Sequence, residues 1–301
     1  MKTARWFAAL LCLAGVACAA PRVDHHQHLL APSMTAPGQA PIDGDSMIHM
    51  LDDAGIHRAV LLSNAFREDD YARVMAENDW TGREAAKYPR RLVALCSFNP
   101  LEDYAVGEIG RCAHLWRLGR GIKLQFGASD VNLDDPIQVA LLRRVFRTAN
   151  ENHMAIVVHM RTRRAHPYGA AQAQTFIDEL MHAAPDVPVQ IAHFCGGGSV
   201  DDPAADEALA VFTAAIARND PRVKNLYFDL ALVAPAGLSP QRAQWVAERI
   251  REIGLKRILY GSDGGDPTDP PPKVQVQAFR KLPLTEAEFR VIESNVAPYL
   301  R

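Results

Sequence analysis

The chain is short of several things, and each shortage excludes something. Five cysteines among 301 residues are too few to staple a protein of this size with disulfides. There is no basic excess, since 33 Lys and Arg stand against 35 Asp and Glu for a net charge of −2 with neutral His. Nothing in that balance grips a nucleic-acid backbone, and no block of like charge reads as a tail. The apolar run from Trp6 to Val16 is about eleven residues, too short to span a bilayer. No glycine-rich phosphate loop follows the first strand candidate, which lowers a doubly wound open sheet. What remains, 48% hydrophobic and 23% charged, is ordinary globular composition with enough length for a sizeable core.

Lys2 and Arg5 flank the start of that apolar run, and Ala17, Cys18 and Ala19 follow it. Charge, apolar run and small residues in this order predict a signal peptide over 1–19, cut after Ala19. The mature chain, 20–301, is then expected in the periplasm or outside the cell. Lipidation of Cys18 fits less well, because Gly15 stands where such signals carry a larger aliphatic residue. Export leaves Cys96, Cys112 and Cys195, an odd number, and spacing alone establishes no bridge among them.

Short apolar runs bounded by turn residues predict strands at Val23–Gln27, Ala59–Ser63, Leu92–Ser97, Gly121–Phe126, Ala155–His159, Val189–His193, Leu226–Leu230 and Arg257–Gly261. Their starts lie about 30–37 residues apart, which is one strand plus one crossover helix. Helix signals fill the gaps. Asp202 with Pro203, and Ser239 with Pro240, read as helix starts; Gly254 ends the second of these, and Thr285 with Glu288 forms a capping-box pattern. Eight such units in one domain predict a (β/α)8 TIM barrel of the α/β class. The Pro-rich stretches Ala31–Ile42 and Asp266–Pro272 follow the first and eighth strands, as lid loops or as inert surface.

Of eleven His, five (His25, His26, His28, His159 and His193) sit at or just past predicted strand ends. In a barrel those ends converge on one mouth. Along the first strand, alternation turns His26 and His28 one way and His25 and Gln27 the other. The fifth and sixth strands run into His159 and His193, and the eighth into Asp263, Gly264 and Gly265. Each of these has a bland structural explanation alone. Together, four strand ends deliver nitrogen or carboxylate groups to one place, a set suited to zinc or a similar divalent ion. An open position for water would make the site catalytic. Asp24 is either a support for the first strand or purely structural, and Asp229 either touches substrate or makes a core hydrogen bond.

Asp-His-His-Gln-His on strand one, Gly-Ile-Lys on four, Val-Val-His on five, Ile-Ala-His on six and Tyr-Gly-Ser-Asp on eight resemble the amidohydrolase superfamily, in its amidohydrolase-related branch. The resemblance covers essentially all of the mature chain, including Asn295-Val296-Ala297. It implies metal ligands at His26, His28, His159 and Asp263, with His193 as the catalytic or second-metal histidine. Lys123 matches a strand-four position that carries a carbamylated lysine in some members, and is taken as a site residue without a fixed role. Gln125 departs from the Lys-Leu-His found in many relatives, and an amide cannot replace imidazole in acid–base work. The branch contains hydrolases, lactonases and metal-dependent decarboxylases, and the fold does not choose among them.

The expected chemistry is attack on an amide, ester or lactone carbonyl of a small molecule by water that the metal, zinc first, has activated. Asp263 would move the proton, and His193 would polarise the carbonyl or stabilise the oxyanion. The rival is metal-dependent decarboxylation of an unsaturated or aromatic acid; a third reading is a catalytically silent barrel that binds metal or ligand. Arg161, Arg163, Arg164, His166 and Tyr168 follow strand five, and Arg161 and Tyr168 are taken as substrate-binding candidates for an anionic compound. A solvated basic loop accounts for the same residues. The sequence indicates no nucleic-acid partner and no stable membrane span, and it leaves the oligomeric state open.

Overall fold

A computed structural model describes residues 20–162, 165–198, 202–265 and 269–301. The expected signal peptide, Arg163 and Arg164 lie outside the described residues, as do 266–268 of the second Pro-rich stretch. Eight parallel strands follow one another around a single barrel in sequence order. They are β1 (Val23–Gln27), β2 (Arg58–Leu62), β3 (Leu92–Ser97), β4 (Gly121–Gln125), β5 (Ala155–His159), β6 (Val189–Ile191), β7 (Leu226–Asp229) and β8 (Ile258–Leu259). Backbone bonds from His25 N to Tyr260 O (2.8 Å), Asp263 N to His26 O (2.8 Å) and His28 N to Gly264 O (2.9 Å) close β8 onto β1. The protein is therefore a single-domain TIM barrel, as the strand rhythm predicts.

The helices begin where the sequence places caps. Asp202 accepts from Ala205 N at the start of α6 (Pro203–Ala217), and Ser239 from Arg242 N at the start of α7 (Pro240–Ile253), which Gly254 ends. Thr285 and Glu288 form a full capping box on α9 (Glu286–Ser294). Each side-chain oxygen satisfies a backbone N–H that has no partner within its helix.

Strand alternation sorts the apolar residues into two cores. On β5, Ile156 and Val158 join the large cluster between strands and helices. Ala155 and Val157 join a smaller cluster with Val23, Val60, Leu62, Leu95 and Leu259, which fills the barrel interior. The C-terminal tail seals the floor of that interior, adding Ala297, Tyr299 and Leu300. Arg120 and Arg58, at the N-terminal ends of β4 and β2, donate to the carbonyls of Tyr299 (3.3 Å) and Leu300 (3.4 Å). No helix among the described residues is long and apolar enough to cross a membrane.

β2, β4 and β7 differ from expectation by one residue at one or both ends; β6 and β8 differ by more, and both of these differences are physical. β6 stops at Ile191 instead of running to His193, because His193, Phe194 and Cys195 turn into the left-handed region with φ of 53, 51 and 69°. β8 keeps only two residues; Arg257 belongs to a 3-10 turn and uses its guanidinium on the carbonyls of Val223, Lys224 and Leu226. Cys96 at the end of β3 is disulfide-bonded to Cys112 on α3 (Ala105–Ala113), and among the described residues Cys195 is the free, buried thiol.

Candidate active site at the barrel mouth

β1 carries an irregularity that the site depends on. Three residues of β1 advance while β2 advances two, since Asp24 pairs with Ala59 and Gln27 with Leu61. Strict alternation breaks there. His25 turns to the floor, where its Nδ1 donates to Tyr260 O (3.0 Å) and its Nε2 accepts from Ala297 N (3.1 Å). Burial pushes its pKa down to about 4, so it is a neutral structural clasp. Asp24 beside it accepts from the backbone of His26 and Ser262 and from the side chains of Gln27 and Ser262, which ties β1 to the segment after β8. Burial raises Asp24 to about 6 against the pull of those donors.

His26 and His28 face the mouth instead. His26 Nε2 lies 3.3 Å and His28 Nε2 3.6 Å from Asp263 Oδ1, and His193 Nε2 lies 3.8 Å from Asp263 Oδ2. The ring of His159 packs edge-on against His193 with centroids 4.8 Å apart. The tightest ligand-like group is His26, His193 and Asp263, whose atoms all fall within 4.8 Å of one another. His28 approaches the same carboxylate from a second side, and His159 joins through His193. Lys123 is buried, with Nζ 3.2 Å from His26 Nε2.

The hydrogen bonds fix which nitrogen carries a lone pair. A carboxylate and a carbonyl can only accept, so His26 Nδ1–H donates to Asp229 Oδ2 (3.0 Å) and His193 Nδ1–H to Ala231 O (2.8 Å). Both Nε2 atoms then present bare lone pairs to the cavity. Asp229, fully buried, also accepts from His193 N (2.9 Å), Ala231 N (3.2 Å) and Gln190 Nε2 (2.8 Å). It orients the His26 imidazole directly and pins the backbone that carries His193, and has no oxygen left for substrate.

Burial drives the pKa of His28, His159 and His193 down, which keeps them neutral and able to coordinate. Burial opposes charge on Asp263 as well, but His26 and the cation-capable groups around it, Lys123 included, hold its carboxyl well below the usual range. Burial also lowers Lys123, to about 8. Neutral imidazoles around one ionised carboxylate form a donor set that fits a divalent cation. The left-handed backbone at His193 and at Asp263 (φ 58°) stores strain of about 1–3 kcal/mol each, the kind found where packing over-determines a working geometry. Gly265 (φ 116°) lies so close to β1 that a Cβ would collide with the His28 carbonyl, which accounts for the glycine after Asp263 and Gly264.

The cavity encloses about 170 Å³, and its lining includes all four expected ligands together with His193, Lys123, Gln125, Asn64, Phe66 and Arg67. Arg161 and Tyr168 do not line it. Arg161 Nε pairs with Asp202 Oδ2 (2.7 Å), and its guanidinium stacks over the Tyr168 ring at 4.9 Å. The Tyr168 hydroxyl donates to Cys195 O. Both therefore brace the loop that carries His193. Arg67, on the 3-10 turn after β2, had no signal in the sequence, being one exposed cation in an unpatterned loop. The oxyanion-donor role expected of His193 asks for a proton on its Nε2. With Nδ1–H committed to Ala231 O, its Nε2 accepts or ligates, and donation would need a second proton that burial opposes.

Fold and site define the class: a TIM barrel with a histidine–carboxylate centre at the C-terminal mouth of its strands. The chain belongs to the amidohydrolase family, whose model matches residues 23–294. No curated protein matches its sequence. Solved structures with the same fold include a 5-carboxyvanillate decarboxylase of Sphingomonas paucimobilis, with TM-score 0.62, 16% identity and coverage of 91% of this chain and 96% of that one. A probable 2-pyrone-4,6-dicarboxylic acid hydrolase of Acinetobacter baumannii, bound to citric acid, has TM-score 0.61, 18% identity and coverage of 90% and 96%. The 5-carboxyvanillate decarboxylase of Novosphingobium aromaticivorans, bound to manganese and a nitrobenzoic acid, has TM-score 0.58, 14% identity and coverage of 93% and 96%.

Proposed function

We propose that this chain is an exported, metal-dependent enzyme that hydrolyses an amide, ester or lactone in a small carboxylate-bearing molecule. One observation carries the reading: an ionised, half-buried Asp263 faces the Nε2 atoms of His26, His28 and His193 inside the mouth cavity. His26, His28, His159 and Asp263 would hold the ion, zinc in the first instance. When bound, the ion supplies Lewis acidity to the carbonyl and lowers the pKa of water to roughly 7.

The protein's own groups do the rest. Asp263 takes the proton of the attacking water and returns it to the leaving group. Lys123, the buried cation of the cavity, donates to the oxygen that gains charge. Arg67 at the rim offers its planar fork to a substrate carboxylate. Asp229 holds the His26 ring and Ala231 O the His193 ring, so that neither turns a proton toward the cation. The Cys96–Cys112 disulfide supports export, because such bonds persist in oxidising compartments.

Decarboxylation of an aromatic or unsaturated acid is the second reading. The pair of cations, Lys123 and Arg67, favours it, and five of the similar solved structures are decarboxylases. The test is to load purified mature protein with zinc or manganese and offer lactones, esters, amides and carboxylated aromatics. Hydrolysis that stops on chelation supports the first reading, and carbon dioxide release replaces it with the second. Bound metal with no turnover of any class would leave a binding barrel.

A further inference from the structure

The floor of the barrel and its mouth are joined by one line of buried polar contacts. The Tyr299 hydroxyl donates to Gln190 Oε1 (2.7 Å), Gln190 Nε2 donates to Asp229 Oδ2 (2.8 Å), and the same oxygen accepts from His26 Nδ1 (3.0 Å). We infer that Tyr299 and Gln190 are positioning residues, through which the C-terminal tail sets the orientation of the His26 and His193 imidazoles. The inference deepens the proposed metal site and rests on that reading for its consequence.

Each link permits one arrangement. The phenol donates to Oε1 of Gln190, which leaves the amide N–H groups for Asp229 and for His25 O (3.3 Å). A flipped amide would set Oε1 against the Asp229 carboxylate, two acceptors face to face in a dry interior. Burial holds the Tyr299 hydroxyl well above the ordinary phenol range, so it stays protonated and able to donate. Asp229 then has one orientation, with Oδ2 on Gln190 and His26 and Oδ1 on the backbone N–H groups of His193 and Ala231. A small rotation of that carboxylate moves both imidazoles together, because His193 sits on left-handed backbone that the Oδ1 bond pins.

The tail is fastened for this task from several sides. His25 accepts from Ala297 N, while Arg120 and Arg58 hold the carbonyls of Tyr299 and Leu300. The two histidines of the first strand thus act on one device from opposite ends. His25 anchors the tail, and His26 receives its effect through two intervening side chains.

The full mature chain and two variants test this. Tyr299→Phe removes only the donor, and Leu300→Ala loosens the tail without touching Gln190. Two quantities are read: zinc affinity, by competition with a fluorescent chelator, and hydrogen exchange at the His193 amide in metal-free protein. Tyr299→Phe is expected to bind zinc about tenfold more weakly, the low end of the ~10–100-fold that outer partners contribute. It should also exchange the His193 amide faster. Leu300→Ala should lower the melting temperature yet keep wild-type zinc affinity and His193 exchange. Equal zinc affinity and exchange in wild type and Tyr299→Phe would overturn the inference, as would equal losses in both variants, which mark a plug with no positioning role. Wild type that binds no zinc, with faster exchange still confined to Tyr299→Phe, would remove the metal reading and leave the positioning intact.

Discussion

His25 and His26 are neighbours on one strand, equally buried, and they live in opposite states. His25 at the floor has both ring nitrogens occupied by backbone groups and nothing left to offer. His26 at the mouth has one nitrogen tied to Asp229 and the other aimed at Asp263 and Lys123. The contrast extends to the two ends of the barrel. The floor packs apolar side chains under the tail, with His25 and Tyr299 hydrogen-bonded among them. The mouth gathers three lowered imidazoles, one carboxylate and one lysine on a strained backbone. Stability and chemistry are thereby divided between the ends, and residue type alone does not say which end a histidine serves.

The most damaging way to break the comparison is to neutralise the mouth. Asp263→Asn keeps the shape but removes the proton acceptor and a ligand charge, so turnover should fall by about 10²–10⁴-fold, read by steady-state kinetics on the substrate that the panel identifies. The second is to remove each histidine in turn. His25→Ala leaves the buried Ala297 N–H unpaired, while Tyr260 O keeps its bond from the backbone N of residue 25, and should cost about 1–3 kcal/mol in chemical denaturation while metal binding survives. His26→Ala should reverse the pattern, abolishing tight metal binding in dialysis and leaving a folded barrel. Third, Asp229→Asn keeps the packing but weakens the hold on His26 Nδ1–H, and metal affinity should drop by about 10–100-fold.

A smaller effect sharpens the comparison from outside the mouth. Buried Asp229 and half-buried Asp263 have hydrogen-bond donors or cations around them, whereas buried Glu77 on α2 (Tyr71–Lys87) has no ion-pair partner among the described residues. Burial raises its pKa from 4.5 to about 7, against a long bond from Thr81 and weaker help from the Asn64 backbone and Arg67. The folded state therefore favours the protonated form. Its stabilising contribution is complete below pH 4.5 and is lost as the pH climbs through about 7. Glu77→Gln should match wild type at pH 4 and exceed it at pH 8 by roughly 1–3 kcal/mol, measured as urea midpoints.

Much of the fold was legible because it rests on local signals. The bounds of β1, β3 and β5 follow their apolar runs to the residue, and the caps at Asp202, Ser239 and Thr285 lie where side-chain chemistry demands. The candidate site was legible as a set of strand ends. What escaped is non-local. The end of β6 is decided by the Asp229 carboxylate, 36 residues further along, which captures the His193 N–H. Asp229 itself read equally well as substrate contact or core hydrogen bond, since only the closed ring brings it under His26. Arg161 and Tyr168 had the right residue types in the right loop, but Asp202 and Cys195 O claim them, and neither partner is visible from the loop alone. Cys96 and Cys112 meet because α3 folds back on β3, a matter of packing that spacing does not encode.

The central claim is that groups between His26 and Asp263 in the sequence gather around one cation. Anomalous diffraction from crystals grown with manganese tests it most directly. The account predicts a single strong peak inside the mouth cavity, bonded to Asp263 and to imidazole Nε2 atoms that include His26. A protein that holds manganese elsewhere, with the mouth empty at full occupancy of the other site, would contradict it.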